Sequence, residues 1–167
     1  MKVAIAYFSR ADENYLPEGK KYIEKGFTEI FAEIIESKTK GDLVKIELEV
    51  PYAASYDECV IEAVKDFKSN NRPAIKDVSF DVNDYDLIYL GFPNYCGTMP
   101  MPVWTFLEKY NFEGKTIKPF CTHEGSGFSR SLNDLEKLCP SSLLVEGLAI
   151  KGSQVEKSKE IIEKWIG

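Results

Sequence analysis

The chain is short of the residues that metal sites and nucleic-acid surfaces are built from. It has one histidine, His123, and four cysteines, at 59, 96, 121 and 139, with no Cys-x-x-Cys spacing among them. That pattern argues against a structural zinc site. Basic residues are in the minority: 21 Lys and Arg stand against 27 Asp and Glu, for a net charge of −6. A general nucleic-acid or anionic-membrane binder needs the opposite balance. No apolar run approaches the roughly 18 residues of a membrane-crossing helix. Met1-Lys2 leads into Val3 to Phe8, a run that stops at Ser9-Arg10 with Asp12 and Glu13 close behind. This is too short for the apolar core of an export signal and reads as a strand. The expectation is a cytoplasmic chain with reduced thiols. Repeats, low-complexity tracts and linkers are also missing, so residues 1–167 read as one domain.

What is there is an alternation of two periods. Val3 to Phe8 and Leu87 to Phe92 are continuous apolar runs, the pattern of strands buried on both faces. Asp42 to Val50 alternates apolar Val44, Ile46, Leu48 and Val50 with charged residues, which predicts a half-buried strand near a sheet edge. Thr116 to Cys121 is a fourth strand despite Pro119, and Leu143 to Ile150 a fifth with a bulge expected at Glu146-Gly147. Between them the period is helical. Phe27, Ile30, Phe31, Ile34 and Ile35 make one apolar stripe, as do Val60, Ala63, Val64 and Phe67 behind a Ser55-x-x-Glu58 capping box. Pro102 opens a third helix, Leu132 to Cys139 forms a fourth, and Ser153-x-x-Glu156 is read as the cap of a fifth. The series βαβαβαβαβα predicts an α/β three-layer sandwich with a five-stranded parallel sheet. The edge character of the second strand favours the order 2-1-3-4-5.

In that order, ligands sit beyond the carboxyl ends of the strands where the order reverses, between the first and third strands. The loops after the first, third and fourth strands are therefore the candidate site. After the first come Ser9-Arg10, a polar stretch 11–25 and Gly26-Phe27-Thr28 at a helix start. Helix-end N–H groups and the hydroxyls of Ser9 and Thr28 suit a phosphate, though a strand end and a plain helix cap would use the same residues. The long stretch 11–25, read as lacking secondary structure, favours function. After the third strand, Pro93-Asn94-Tyr95-Cys96-Gly97-Thr98 is followed by Met99-Pro100-Met101-Pro102. It is either a ring-binding loop, with Tyr95 to stack and backbone near Gly97 to hydrogen-bond, or a connector packing its own aromatics. After the fourth, Thr122-His123-Glu124-Gly125-Ser126-Gly127 offers small residues and backbone donors to a flat polar edge.

Catalytic motifs fail at these loops. Around Ser126 a Gly-x-Ser-x-Gly elbow is broken by Glu124. A Cys-x5-Arg loop from Cys121 meets Gly127 instead of arginine, and a receiver domain would carry acids where Tyr7-Phe8-Ser9 stand. The G-x-x-x-x-G-K-[ST] and G-x-G-x-x-G phosphate loops are absent. His123 reads as loop structure or a cofactor contact in preference to a general base.

Taken together, Ile5-Ala6-Tyr7-Phe8-Ser9-Arg10 with Gly26-Phe27-Thr28, Tyr85-Asp86 through Gly91-Phe92-Pro93 with Gly97-Thr98-Met99-Pro100, and Pro119 through Gly127 resemble the flavodoxin family over nearly the whole chain. The first pair looks like the two ends of the flavin phosphate loop, usually close to Ser-x-Thr-Gly-Asn-Thr, with residues 11–25 inserted. The other two look like the loops that clamp the isoalloxazine ring. The resemblance implies noncovalent FMN carrying electrons between redox proteins. Ser9, the Arg10 backbone and Thr28 would hold the phosphate, and Pro93–Thr98 and Thr122–Gly127 the ring. It also implies a peptide flip at the glycine matching Gly97. Two positions depart: Phe27 stands where the family commonly has Asn, and Cys96 falls where relatives often carry a large aromatic. Both imply weaker or retuned binding. The acidic surface is expected to disfavour negative charge on reduced flavin and to steer basic redox partners. The alternatives are an FMN-dependent NAD(P)H or quinone oxidoreductase and a protein-binding module that has lost its cofactor.

Overall fold

A computed structural model describes residues 1–167. In chain order the elements are β1 (Val3–Phe8), β2 (Asp12–Leu16), β3 (Gly19–Ile23), α1 (Phe27–Thr39), β4 (Asp42–Ile46), α2 (Tyr56–Lys68) and β5 (Leu87–Pro93). Then follow α3 (Met101–Lys109), β6 (Thr116–His123), α4 (Ser131–Leu138), β7 (Leu143–Leu144), β8 (Leu148–Lys151) and α5 (Lys159–Ile166). The main sheet runs β4-β1-β5-β6-β7, with β8 also paired to β6, and every pairing is parallel. This is the order 2-1-3-4-5 expected for the five predicted strands, with helices on both faces.

The two faces follow from the period of two along each buried strand. In β1, Ala4, Ala6 and Phe8 join the core that holds Ile88, Leu90, Phe92, Val103, Phe106 and Leu135. Ile5 and Tyr7 face the other way, into a core with Phe31, Ile35, Tyr89, Phe120, Val155 and Ile162. Gly91 belongs to this second face by parity with Tyr89. The Phe120 ring lies over it, so a β-carbon there would come within 2.1 Å of the ring. Phe31 packs on the same ring, centroids 4.6 Å apart.

Four expectations need correction. The stretch 11–25 is not without structure: β2 and β3 form an antiparallel hairpin as a separate small sheet. The fifth strand is split into β7 and β8, which pair with β6 on either side of Pro119. The N–H groups of Leu143 and Val145 bond to the carbonyls of Lys115 and Ile117, so Pro119, in the same phase, presents its ring where the next donor would stand. Gly147 fits opposite because a β-carbon would meet the Pro119 carbonyl at 2.7 Å. The alternating strand ends at Ile46. Beyond it Leu48 bridges to Ile75 and Glu49 N–H bonds to Ala74, which leaves Val50 81% exposed instead of in the sheet. Finally, Ser153-x-x-Glu156 is not a capping box. Gly152–Lys157 is a 3₁₀ turn and α5 starts after Ser158. The Ser153 N–H is taken by the Glu124 carboxylate at 3.3 Å, which pulls the segment toward β6 and leaves the Ser153 hydroxyl without a partner. The other box holds: the Ser55 hydroxyl accepts from the Glu58 N–H at 3.5 Å.

Candidate functional site

At the β1–α1 junction, α1 is capped from outside itself. Gly26 has no side chain to offer, and the Ser9 hydroxyl accepts the Glu29 N–H at 3.1 Å. Gly26 is required there, because a β-carbon would fall 2.1 Å from Ser9 Oγ and 2.7 Å from the Arg10 carbonyl. The N–H groups of Phe27 and Thr28, first in the helix, have no carbonyl a turn earlier to bond. Thr28 does not present its hydroxyl to solvent: it is 2% exposed and shares a 2.7 Å hydrogen bond with Thr122, tying α1 to β6. The Phe27 ring packs on Gly152, where a β-carbon would lie 2.4 Å from it.

The hairpin is strapped to the start of α2. The Arg10 guanidinium donates to the carbonyls of Glu13, Ala53 and Ala54. The Glu13 carboxylate accepts the Tyr56 N–H at 3.0 Å, an anion at a helix N-terminus. Lys20 pairs with Asp57 at 2.7 Å, and the Tyr15 and Tyr56 rings lie 5.8 Å apart. The Asn14 amide donates to the carbonyls of Arg10, Ala11 and Asp12, closing the chain reversal in which Asp12 takes a φ of 69°. The insertion is thus one wall of a cleft.

The loops after β5 and β6 are joined into one unit. Tyr95 and Thr98 exchange both backbone hydrogen bonds around Cys96 and Gly97, whose φ values of 55° and 76° mark a type I′ turn. The Asn94 amide donates to the Gly127 carbonyl at 2.8 Å and to Ser129, and its oxygen accepts the Gly97 N–H. Thr98 is buried and its hydroxyl donates to Asp134 on α4. Gly125 and Gly127 have φ values of 144° and 61°. The Ser126 carbonyl accepts from the Ser129 hydroxyl. Of the four thiols, Cys96 alone is exposed. One equivalent of thiol is therefore expected to react promptly with a chromogenic disulfide reagent in the native protein, and the other three only after unfolding. Prompt reaction of two or more would contradict this packing.

His123 accepts the Gly125 N–H on Nδ1 at 2.9 Å, so Nε2 carries the proton of the neutral ring. Burial, reinforced by the Lys151 ammonium, holds it below the usual histidine range. The unfolded chain then binds this proton more readily than the folded one. The stability this contributes is present above the ordinary value of about 6.5 and is lost as pH falls from there through the lower value of the folded ring. The thermal midpoint is expected to drop less steeply below about pH 6.5 in His123→Gln than in the wild type. Burial also raises the carboxyl of the neighbouring Glu124.

These three junctions enclose a cleft of about 420 Å3 at the carboxyl ends of β1 and β5, where the sheet order reverses. Nine of the expected site residues line it: Arg10, Phe27, Pro93, Asn94, Tyr95, Cys96, Thr122, His123 and Glu124. The other eight do not: Ser9, Gly26 and Thr28 build the α1 entry, and Gly97, Thr98, Gly125, Ser126 and Gly127 shape the two loops behind it. Sequence reading missed Asn14 and Tyr15 of the hairpin, Gly152, and the wall made by Tyr56, Cys59, Val60, Ala63 and Val64 of α2. The i, i+4 pair Val60 and Val64 reads as core stripe, and nothing in the spacing says that this flank of the stripe faces a cleft. On the cleft floor the Tyr95 ring meets Phe8 edge-on, and burial pushes its hydroxyl and the adjacent Cys59 thiol above their usual ranges. No helix is long and apolar enough to cross a membrane.

A doubly wound sheet with a cleft at its switch point, walled by the first, third and fourth βα loops, defines a flavodoxin-like protein. The Flavodoxin family model matches residues 20–167, and the chain belongs to that family. No curated protein matches the sequence. Among solved structures, a candidate flavoprotein from Bacteroides uniformis is similar with TM-score 0.77 at 25% identity, covering 99% of this chain and 97% of that one. A second, from Bacteroides eggerthii, gives 0.72 at 25%, covering 96% and 97%. A flavoprotein from Lactobacillus acidophilus, solved in complex with FMN, shares the fold with TM-score 0.67 at 22% identity over 93% and 97% of the two chains.

Proposed function

We propose that this chain binds FMN in the cleft and passes electrons between redox proteins. The reading is carried by the convergence of three loops at the switch point on one cleft of about 420 Å3. That volume is near the lower end of the roughly 300–1,000 Å3 of small-molecule sites. It suits one ligand the size of a mononucleotide.

The residues present fit the cofactor. The free N–H groups of Phe27 and Thr28 at the positive end of α1 suit a phosphate dianion without basic surface. Pro93 to Cys96 and Thr122 to Glu124 line the cleft where a ring would lie, and Gly97, Gly125 and Gly127 give the two loops behind them their turns. Tyr95 and Tyr56 supply aromatic surface, and the buried Nε of Arg10 is a donor without a partner. Bound FMN supplies one- and two-electron redox chemistry; the protein contributes position, exclusion of water and charge. Membership of the flavodoxin family and the FMN complex of the Lactobacillus acidophilus protein support the reading.

Net charge of −6 favours basic partners, and transfer rates to them should fall as salt rises. A second reading, an FMN-dependent oxidoreductase acting on a small quinone, draws support from the open apolar wall of Val60 and Val64. Steady-state assays separate the two. Reduction of the flavin only through a reductase protein supports the carrier, and rapid NADPH oxidation with a quinone and no added protein supports the enzyme.

A further inference from the structure

Arg10 is a cation without a counter-ion. None of the ion pairs in this acidic chain includes it, although 27 carboxylates are available. Its terminal nitrogens are held by the main-chain carbonyls of Glu13, Ala53 and Ala54, which fix the fork but carry no net charge. The nearby Glu13 carboxylate is engaged by the Tyr56 N–H. The remaining donor, Nε, is buried with no partner, and the residue lines the cleft. A half-buried, unneutralised guanidinium whose one buried N–H is unused is costly to fold around unless a ligand completes it. Arg10 is, moreover, the only arginine or lysine among the cleft residues.

Its position selects the ligand group. The side chain leaves the end of β1 and crosses to the start of α2, where it stands among Tyr56, Cys59 and Tyr95. The free helix donors that suit the phosphate are those of Phe27 and Thr28 on α1, with Gly26 packed against the Arg10 main chain instead of its fork. The guanidinium therefore belongs to the ring end of the cleft. A flavin ring that takes up two electrons and one proton becomes an anion, and an ion held in a site of low dielectric interacts strongly with it.

We propose that the Arg10 guanidinium binds the negative charge of the reduced flavin ring, so that the site holds reduced FMN more tightly relative to oxidised FMN. The proposal rests on the flavin reading above, and it opposes locally the effect of the acidic surface. A charge-assisted hydrogen bond of this kind corresponds to about a tenfold to hundredfold preference.

The test is titration of the apoprotein with oxidised FMN and with dithionite-reduced FMN under anaerobic conditions. Wild type is compared with Arg10→Met and Arg10→Lys, and riboflavin is run in parallel. Arg10→Met should lower the ratio of reduced to oxidised affinity at least about tenfold, equally for FMN and riboflavin, and Arg10→Lys should restore most of it. Because Arg10 also straps the hairpin, Tyr56→Glu provides a second route with Tyr56→Gln as its control. A carboxylate at the first position of α2 is favourable for the helix and neutralises Arg10 in place, so the ratio should fall only in the glutamate variant. An unchanged ratio in Arg10→Met and Tyr56→Glu overturns the assignment. A loss confined to FMN, with riboflavin unaffected, overturns it in favour of phosphate binding. Failure of the wild type to bind oxidised FMN at all overturns the flavin reading itself.

Discussion

Gly91→Ala is expected to be among the most damaging single-methyl additions in this protein. The new β-carbon would lie 2.1 Å from Phe120 Cζ and 2.2 Å from Cε2, well inside contact distance. Phe120 cannot swing away cheaply. It is fully buried, Phe31 lies against it, and Gly91 and Phe120 are partners in the β5–β6 ladder. Overpacking of this kind costs about 1–3 kcal/mol where the surroundings can yield, and this site has little freedom, so a loss at or above the top of that range is expected. Urea denaturation should show a lower midpoint with an unchanged slope. Combining the change with Phe120→Leu should recover part of the loss, since the two residues compete for one volume and their effects are non-additive. Additive costs in the double variant would contradict the packing described.

Gly26→Ala should have the largest effect on ligand binding of any substitution that adds so little. A β-carbon at Gly26 meets Ser9 Oγ at 2.1 Å and the Arg10 carbonyl at 2.7 Å. The hydroxyl must leave the Glu29 N–H, and the end of β1 must move off the start of α1. Loss of the cap costs about 1 kcal/mol of stability. The larger consequence is at the cleft, where the Phe27 and Thr28 N–H groups are displaced from the Arg10 side. Loss of a well-placed phosphate contact of this charge-assisted kind predicts that FMN affinity falls about tenfold to a hundredfold, with riboflavin affinity little changed. Fluorescence quenching of each flavin on titration with apoprotein reads both. Equal losses for the two ligands would mean that the phosphate is held elsewhere.

Much of the fold was legible because local and global signals agree. Continuous apolar runs at Val3–Phe8 and Leu87–Phe92 name the central strands, and the alternation at Val44, Ile46 and Leu48 names the edge. The misreadings share a cause: each depends on a partner distant in sequence. Glu124 takes the Ser153 N–H that the local box had assigned to Glu156. Pro119 splits the strand beside it, and its effect is visible only once the register is known. The hairpin at 12–23 has polar residues on most of its length and an unremarkable turn, and it is ordered by Arg10, Glu13, Tyr15 and Lys20 gripping the start of α2. The site shows the same division. Its three loops could be located from strand order, but the α2 wall could not, since Cys59, Val60 and Val64 have the spacing of a core stripe whether or not a cleft opens beside them.

The most direct test of the central claim is thermal unfolding of the apoprotein with and without a saturating excess of FMN. A ligand selective for the folded state must stabilise it, by about 2.7 kcal/mol at a hundredfold excess over Kd. The account predicts a midpoint several degrees higher with FMN, together with the visible spectrum of a bound oxidised flavin. An unchanged midpoint and a spectrum identical to free FMN would contradict it, leaving a flavodoxin-like chain whose cleft serves some other ligand.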